Sequence, residues 1–145
     1  MYGLQIRNID DKSRVVLPPV FRDELGSKLF ITIGFDGNAE VRSEKSFQSY
    51  ISMIENRSRF DVKTRTLARY IFGNTFEVVL DNQNRISLPK PIIEKLAIQK
   101  EVYFIGVGSI VELWAKEKYD EIQSTYTVKD MAELAQFLSQ DINGK

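Results

Sequence analysis

A chain of 145 residues, 43% hydrophobic and 28% charged, holds enough apolar material for one average domain or two very small ones, and its composition is not that of a disordered chain. Having neither Cys nor His, it excludes disulfides, thiolate and imidazole metal sites, and every Ser-His or Cys-His nucleophile, leaving carboxylates, Lys, Tyr, Ser and Thr as the only candidates for chemistry. Twenty basic residues balance twenty acidic ones, but residues 1–75 carry 12 basic and 9 acidic groups against 8 and 11 in residues 76–145, so any nucleic-acid contact must come from a local patch.

The opening "MYGLQIRNIDDK" reads as a strand and a turn, not as a secretory leader. The longest nearly apolar stretch, Val102 to Val111, is broken by Gly106, Gly108 and Ser109 and is too short to span a bilayer. A soluble, cytoplasmic protein with no membrane contact and no cofactor is expected.

Next comes "NIDDKSRVVLP", Asn8 to Pro18, in which Asp-rich turn residues precede a short strand with Val15 and Leu17 inward and Arg14 outward. Pro18 and Pro19 open a helix, "PVFRDELG", that stops at Gly26. "KLFITIGFDGNAEV" is a hairpin turning at Asp36-Gly37. Ser43 caps an amphipathic helix with Phe47, Tyr50, Ile51 and Ile54 as its stripe. A second helix opens at Asp61, with Leu67, Ala68, Ile71 and Phe72 apolar and Arg65 and Arg69 on one flank.

The order then repeats. Phe76, Val78 and Leu80 alternate along a strand, and "VLDNQNRISLP", Val79 to Pro89, supplies a turn and a strand. A helix and the hairpin "EVYFIGVGSIVELW" follow. A shift of 71 aligns Asp10 with Asp81, Arg14 with Arg85, Leu17 with Leu88, Pro18 with Pro89 and Leu25 with Leu96; a shift of 72 then aligns Glu40 with Glu112 and Phe47 with Tyr119. A unit of about 50 residues is therefore duplicated. A final helix starts at a Thr127 cap, with Met131, Leu134, Ala135 and Leu138 apolar, and "DINGK" is a frayed end. The aromatic set Phe30, Phe35, Phe47, Phe76, Tyr103, Phe104 and Trp114 reads as core and interface.

Taken together, "DDKSRVVLP", "DNQNRISLP", the Arg65-x-x-x-Arg69 helix between them and the "ELW" strand end resemble the MraZ family of bacterial transcriptional regulators over nearly the whole chain. The resemblance implies an α+β fold. A strand/turn/strand/helix/hairpin unit of SpoVT-AbrB-like type (a double-split β-α-β arrangement) is duplicated to form one pseudo-two-fold domain. The organisation it suggests is a first unit at 1–56 (core about 5–47), a basic linker helix at 57–73, a second unit at 74–126 (core about 76–119), and a C-terminal helix and tail at 127–145. It also implies ring-like homo-oligomers at the nucleoid that bind double-stranded DNA at repeated boxes upstream of a division and cell-wall gene cluster. One departure concerns the position before each Arg, where the family usually has Gly and this chain has Ser13 and Asn84. Asn adopts positive φ more readily than Ser, so the first turn is expected to differ in geometry from the second.

The residues expected to meet DNA are Arg14 and Arg85, with Lys12 as a further phosphate contact; Asp10 and Asp81 shape the turns and hold the arginines, Asn84 is a turn residue, and Gln83, in the place of Lys12, offers hydrogen bonding without charge. An outward guanidinium on a rigid turn suits phosphate or a guanine edge. Arg65 and Arg69, with Arg57, Arg59 and Lys63, form a basic strip that either faces phosphate or joins the units. Asp10 and Asp81 invite comparison with a proton-sharing carboxylate pair, but an Arg four residues after each favours full ionisation, so an enzyme is not expected. The competing reading is a ring-forming interaction module or an AbrB-type antitoxin.

Overall fold

The computed structural model describes residues 1–140; the expected frayed end, residues 141–145, lies outside them. The first repeat runs β1 (Tyr2–Asn8), β2 (Arg14–Val16), α1 (Pro19–Leu25), β3 (Lys28–Ile33), β4 (Ala39–Ser43) and α2 (Glu44–Glu55). After α3 (Val62–Gly73) the same order returns as β5 (Thr75–Val79), β6 (Arg85–Ser87), α4 (Lys90–Leu96), β7 (Glu101–Val107), β8 (Val111–Ala115) and α5 (Lys116–Gln123). The chain closes with α6 (Val128–Leu134) and a 3-10 turn, Ala135–Ser139.

Local chemistry accounts for the boundaries. Pro18 and Pro89 precede α1 and α4, where a missing N–H costs nothing. Gly26, at φ 76°, ends α1. The Ser43 hydroxyl accepts the Ser46 N–H at 3.1 Å, and Asp61 accepts the Lys63 N–H at 2.9 Å, each satisfying an otherwise free donor at a helix start. Thr127 and Asp130 bond reciprocally to each other's backbone N–H as a capping box.

Tertiary pairing interlocks the repeats. One antiparallel sheet has the order β1-β7-β8-β4-β3-β5. Its pseudo-two-fold axis passes between β4 and β8, where Glu40 faces Glu112. On each side the outer strand belongs to the other repeat, since β1 pairs with β7 and β5 with β3. β2 and β6 form a separate antiparallel ribbon with Val15 opposite Ile86. A single core fills the space between sheet, ribbon, α1 and α4; Phe21, Leu29, Ile31, Ile86, Phe104 and Leu113 are all fully buried in it. The fold is thus α+β and duplicated, as the repeat implied.

Like charges directly opposite each other across a sheet repel. Each glutamate at the seam has its own partner. Arg42, only 7% exposed, pairs with Glu40 at 3.0 Å and stacks over the Tyr50 ring at 3.8 Å. On the other side the Trp114 indole N–H donates to Glu112 at 3.0 Å.

One apolar assignment changes, and two apolar groups lie outside the core. In α3 the buried positions are Thr64, Ala68 and Ile71, with Ala68 and Ile71 packed on Ile54 and Tyr50, while Leu67 and Phe72 face outward. The floor under α3 is the end of α2 together with part of β3, and it takes only a narrow stripe of the helix. Of the aromatic set read as core and interface, Phe35 is 68% exposed in the hairpin turn. α6 and the 3-10 turn bury none of their residues, so among the described residues Met131, Leu134, Ala135 and Leu138 rest on no floor.

The crossed strand pairing can be probed at one glycine. A Cβ on Gly106 would lie 2.5 Å from the Tyr2 backbone nitrogen and 2.7 Å from the Met1 carbonyl carbon. Backbone cannot yield as a flexible side chain does, so Gly106→Ala should displace the start of β1 and destabilise the protein by about 1–3 kcal/mol, the usual range for overpacking. Urea unfolding measures this; an unchanged midpoint would mean that β1 does not lie against Gly106.

Candidate nucleic-acid interface

Each repeated string folds into the same hydrogen-bonded turn. In the first, Asp10 Oδ1 accepts the N–H groups of Lys12 at 2.9 Å and Arg14 at 2.8 Å, and Oδ2 accepts Arg14 Nε at 2.8 Å. In the second, Asp81 Oδ1 accepts from Gln83 at 2.8 Å and Arg85 at 2.9 Å, and Oδ2 accepts Arg85 Nε at 2.7 Å. The backbone agrees as well: the Ser13 N–H donates to Asp10 O and the Asn84 N–H to Asp81 O.

These bonds explain the spacing of Asp and Arg. A carboxylate four residues before the Arg can close the turn with one oxygen and hold the guanidinium with the other. The Arg14 backbone N–H, ahead of the guanidinium, holds the Asp10 carboxyl below its ordinary pKa of 3.8, and the Arg85 N–H does the same for Asp81. Both acids stay ionised, each committed to its own arginine. That opposes the shared proton of a catalytic carboxylate pair.

The expected divergence of the two turns does not occur. Ser13 sits at φ 60° and Asn84 at φ 59°. The tertiary structure imposes the conformation on both: the Leu88 N–H donates to Ser13 O at 2.9 Å and the Leu17 N–H to Asn84 O at 3.0 Å, so each turn is pinned by the strand end of the other repeat. Local preference at Ser13 is overruled, at a cost. Left-handed backbone costs an L-residue without Asn's local bonding about 1–2 kcal/mol, partly offset by the extra unfolded-state entropy a Gly would bring. Ser13→Gly should therefore stabilise the protein by up to about 1 kcal/mol and Asn84→Gly by less. Denaturant midpoints of the two variants compare them; a larger gain at Asn84 would reverse this account.

The ribbon register decides where the arginines point. Arg14 lies opposite Ser87 and Val16 opposite Arg85, so Arg14, Val16, Arg85 and Ser87 share one face. Val15 and Ile86 occupy the other, 1% and 0% exposed. Diagonal neighbours in such a ribbon are roughly 7–8 Å apart. The two arginines of one chain therefore stand side by side, each side chain 25% exposed. Their Nε atoms are held by aspartate, and among the described residues neither Arg donates a hydrogen bond through Nη1 or Nη2. What remains outward is the two-pronged end of the guanidinium fork, already oriented. Lys12 and Gln83 are exposed at equivalent places beside it.

The basic strip is not part of this face. Arg65 Nη1 donates to the Arg59 carbonyl at 2.8 Å and so braces the loop ahead of α3. Arg69 is exposed on α3, whose buried side joins the cluster of Ile54 and Ile71, separate from the core beneath the ribbon. The carbonyls of Ser13 and Asn84 tie each turn to the other repeat, and as backbone atoms they leave no mark in composition.

Comparison with known proteins bears on the duplicated turn directly. The family model described as "MraZ protein, putative antitoxin-like" matches twice, at residues 3–70 and 71–139. The chain belongs to the MraZ family. It is 39% identical over 140 residues to the transcriptional regulator MraZ of Mycoplasmopsis synoviae (strain 53), covering 94% of this chain and 95% of that protein. The MraZ regulator of Mycoplasma mobile is 41% identical over 126 residues, 87% of this chain and 86% of the relative. That of Mesoplasma florum is 36% identical over 143 residues, 98% and 97% of the two chains. The two MraZ matches each contain one Asp–Arg turn, Asp10–Arg14 in the first and Asp81–Arg85 in the second. No helix among the described residues is long and apolar enough to cross a membrane.

Proposed function

We propose that the chain is a DNA-binding transcriptional regulator that acts as a homo-oligomer, in the cytoplasm and at the nucleoid, on repeated boxes in the promoter of a division and cell-wall gene cluster. The observation that carries the reading is the pair of preoriented guanidinium ends of Arg14 and Arg85 on one face of the β2–β6 ribbon. The names of the MraZ relatives as transcriptional regulators support it. A free Nη pair suits two oxygens of a phosphate, or O6 and N7 of a guanine. Two such forks per chain are modest by themselves. Several chains on successive boxes make each later contact intramolecular, so weak contacts add up to firm binding.

A mobility-shift titration on a repeat-containing promoter fragment, at a series of salt concentrations, tests this. Affinity should fall steeply as salt rises, with a slope in log–log form of about −0.9 for each phosphate neutralised. Binding that ignores salt, or that does not distinguish a fragment with boxes from one without, would overturn the reading.

The interaction-module or antitoxin reading has one observation in its favour, the uncovered apolar residues of the C-terminal segment. A pull-down with and without nuclease separates the two readings: partners lost on nuclease treatment were held by DNA.

A further inference from the structure

We propose that Val16 is a sequence-reading residue, placing its methyl groups against the C5-methyl of a thymine close to the base met by Arg85. The inference rests on the DNA part of the proposed function. It adds to the two arginines a side chain that tells base pairs apart without charge or hydrogen bonding.

Packing does not account for a valine at this position. The ribbon face that carries Arg14 and Arg85 has two further positions, Val16 and Ser87, which are equivalent under the 71-residue shift. Ser87 shows that the ribbon needs neither an apolar nor a branched side chain there. Val16 is 37% exposed, and among the described residues it belongs to none of the apolar clusters. It stands as an apolar surface between two guanidinium groups. Having no charge and no donor, it has nothing to offer a phosphate.

The register fixes its neighbour. The Leu17 N–H donates to Asn84 O at 3.0 Å and the Leu88 N–H to Ser13 O at 2.9 Å, so bonded pairs alternate with the unbonded pairs Val16–Arg85 and Arg14–Ser87. Facing side chains stand closest in unbonded pairs, with Cβ atoms about 4.5–5.5 Å apart. Successive base pairs are about 3.4 Å apart, which puts Val16 one or two base pairs from the base that Arg85 meets. A two-stranded ribbon fits the major groove, about 12 Å wide, and not the minor groove, about 6 Å wide. Along the base edges of the major groove the apolar group is the thymine C5-methyl. The Arg85 fork, held by Asp81 through Nε at 2.7 Å, suits O6 and N7 of a guanine. The ligand chemistry is therefore a thymine methyl near a guanine edge. Ser87, beside Arg14, can bond to any base edge and supplies no such preference. Each chain thus has one methyl-reading position.

Uracil in place of thymine tests this without knowledge of the box sequence. A repeat-containing promoter fragment is amplified from primers outside the boxes, once with thymidine triphosphate and once with deoxyuridine triphosphate. The second product lacks the methyls and keeps all base pairing. Burying one methyl changes affinity about fourfold, and linkage between chains on successive boxes enlarges the effect. In a mobility-shift titration the unsubstituted chain should therefore bind the uracil fragment at least about fourfold more weakly than the thymine fragment. Val16→Ser should bind the two fragments alike. Val16→Thr, which keeps the branched shape and one methyl, should fall between. Melting curves should be unchanged, since Ser87 already occupies the equivalent place. Equal binding of both fragments by the unsubstituted chain would overturn the proposal, as would an undiminished thymine preference in Val16→Ser. If Val16→Ser melts early, Val16→Thr decides by the same comparison, and a full thymine preference there overturns the proposal. The causes of failure are separable. No shift on either fragment rejects the DNA reading as well, whereas a salt-dependent shift blind to the methyls rejects only the role of Val16.

Discussion

Replacing Arg14 and Arg85 together with alanine should abolish the shift of a repeat-containing promoter while leaving native mass and melting curve unchanged. Each guanidinium presents its Nη pair outward and, among the described residues, makes its one side-chain bond through Nε. Removing it leaves the turn closed, because Asp10 still accepts two backbone N–H groups and Asp81 does likewise. A well-oriented bidentate contact is worth about 1–3 kcal/mol, so losing both should weaken binding by one chain roughly 30-fold to 10⁴-fold. Linkage between chains on successive boxes compounds that loss, which is why no shift should remain.

The single variants carry further information. Both arginines sit on one ribbon face with equal exposure and equivalent bonding, so Arg14→Ala and Arg85→Ala should weaken binding to similar degrees. A large inequality would mean that only one turn meets DNA. Arg→Lys at either site should recover little, since an ammonium reproduces the charge and not the fork. Undiminished binding by the double alanine variant would refute the role given to the two residues.

Phe21→Ala and Phe104→Ala should each cost about 3–5 kcal/mol, the range for emptying a fully buried aromatic site. That is a large share of the 5–15 kcal/mol that holds a typical domain together, and for a chain of this size it corresponds to a fall in melting temperature of roughly 6–20 °C. The shape of the transition matters as much as its position. Phe21 lies on α1 in the first repeat and Phe104 on β7 in the second, yet both belong to one core. β1 completes the second repeat's hairpin and β5 the first's. Neither repeat can unfold and leave the other intact, so both variants should melt in a single transition. Two transitions in either would mean that the repeats are energetically separate.

Much of this was legible in the chain. The twin strings at Asp10–Arg14 and Asp81–Arg85 announced equivalent turns, and the alternation of Val15 and Ile86 with the arginines placed the guanidinium groups outward. Helix starts at Ser43, Asp61 and Thr127 followed from side chains that reach their own backbone. Where local preference was used to compare the turns, it misled. Ser13 disfavours positive φ in isolation, but a hydrogen bond from Leu88, 75 residues along the chain, holds it there. Leu67 and Phe72 looked buried because periodicity reports which residues are apolar and not how wide the surface beneath them is.

The sequence by itself determined the elements, their order, the duplication and the outward arginines, because all of these depend on neighbours within a few residues. Only the tertiary structure decided that the first strand of each repeat pairs with the other repeat, that the two Asp–Arg turns meet on one ribbon, and that the C-terminal segment has no floor among the described residues. Those outcomes depend on which surfaces complement each other across long separations. A strand edge or a helix stripe states that it needs a partner, and the packing of the whole chain determines which partner it finds.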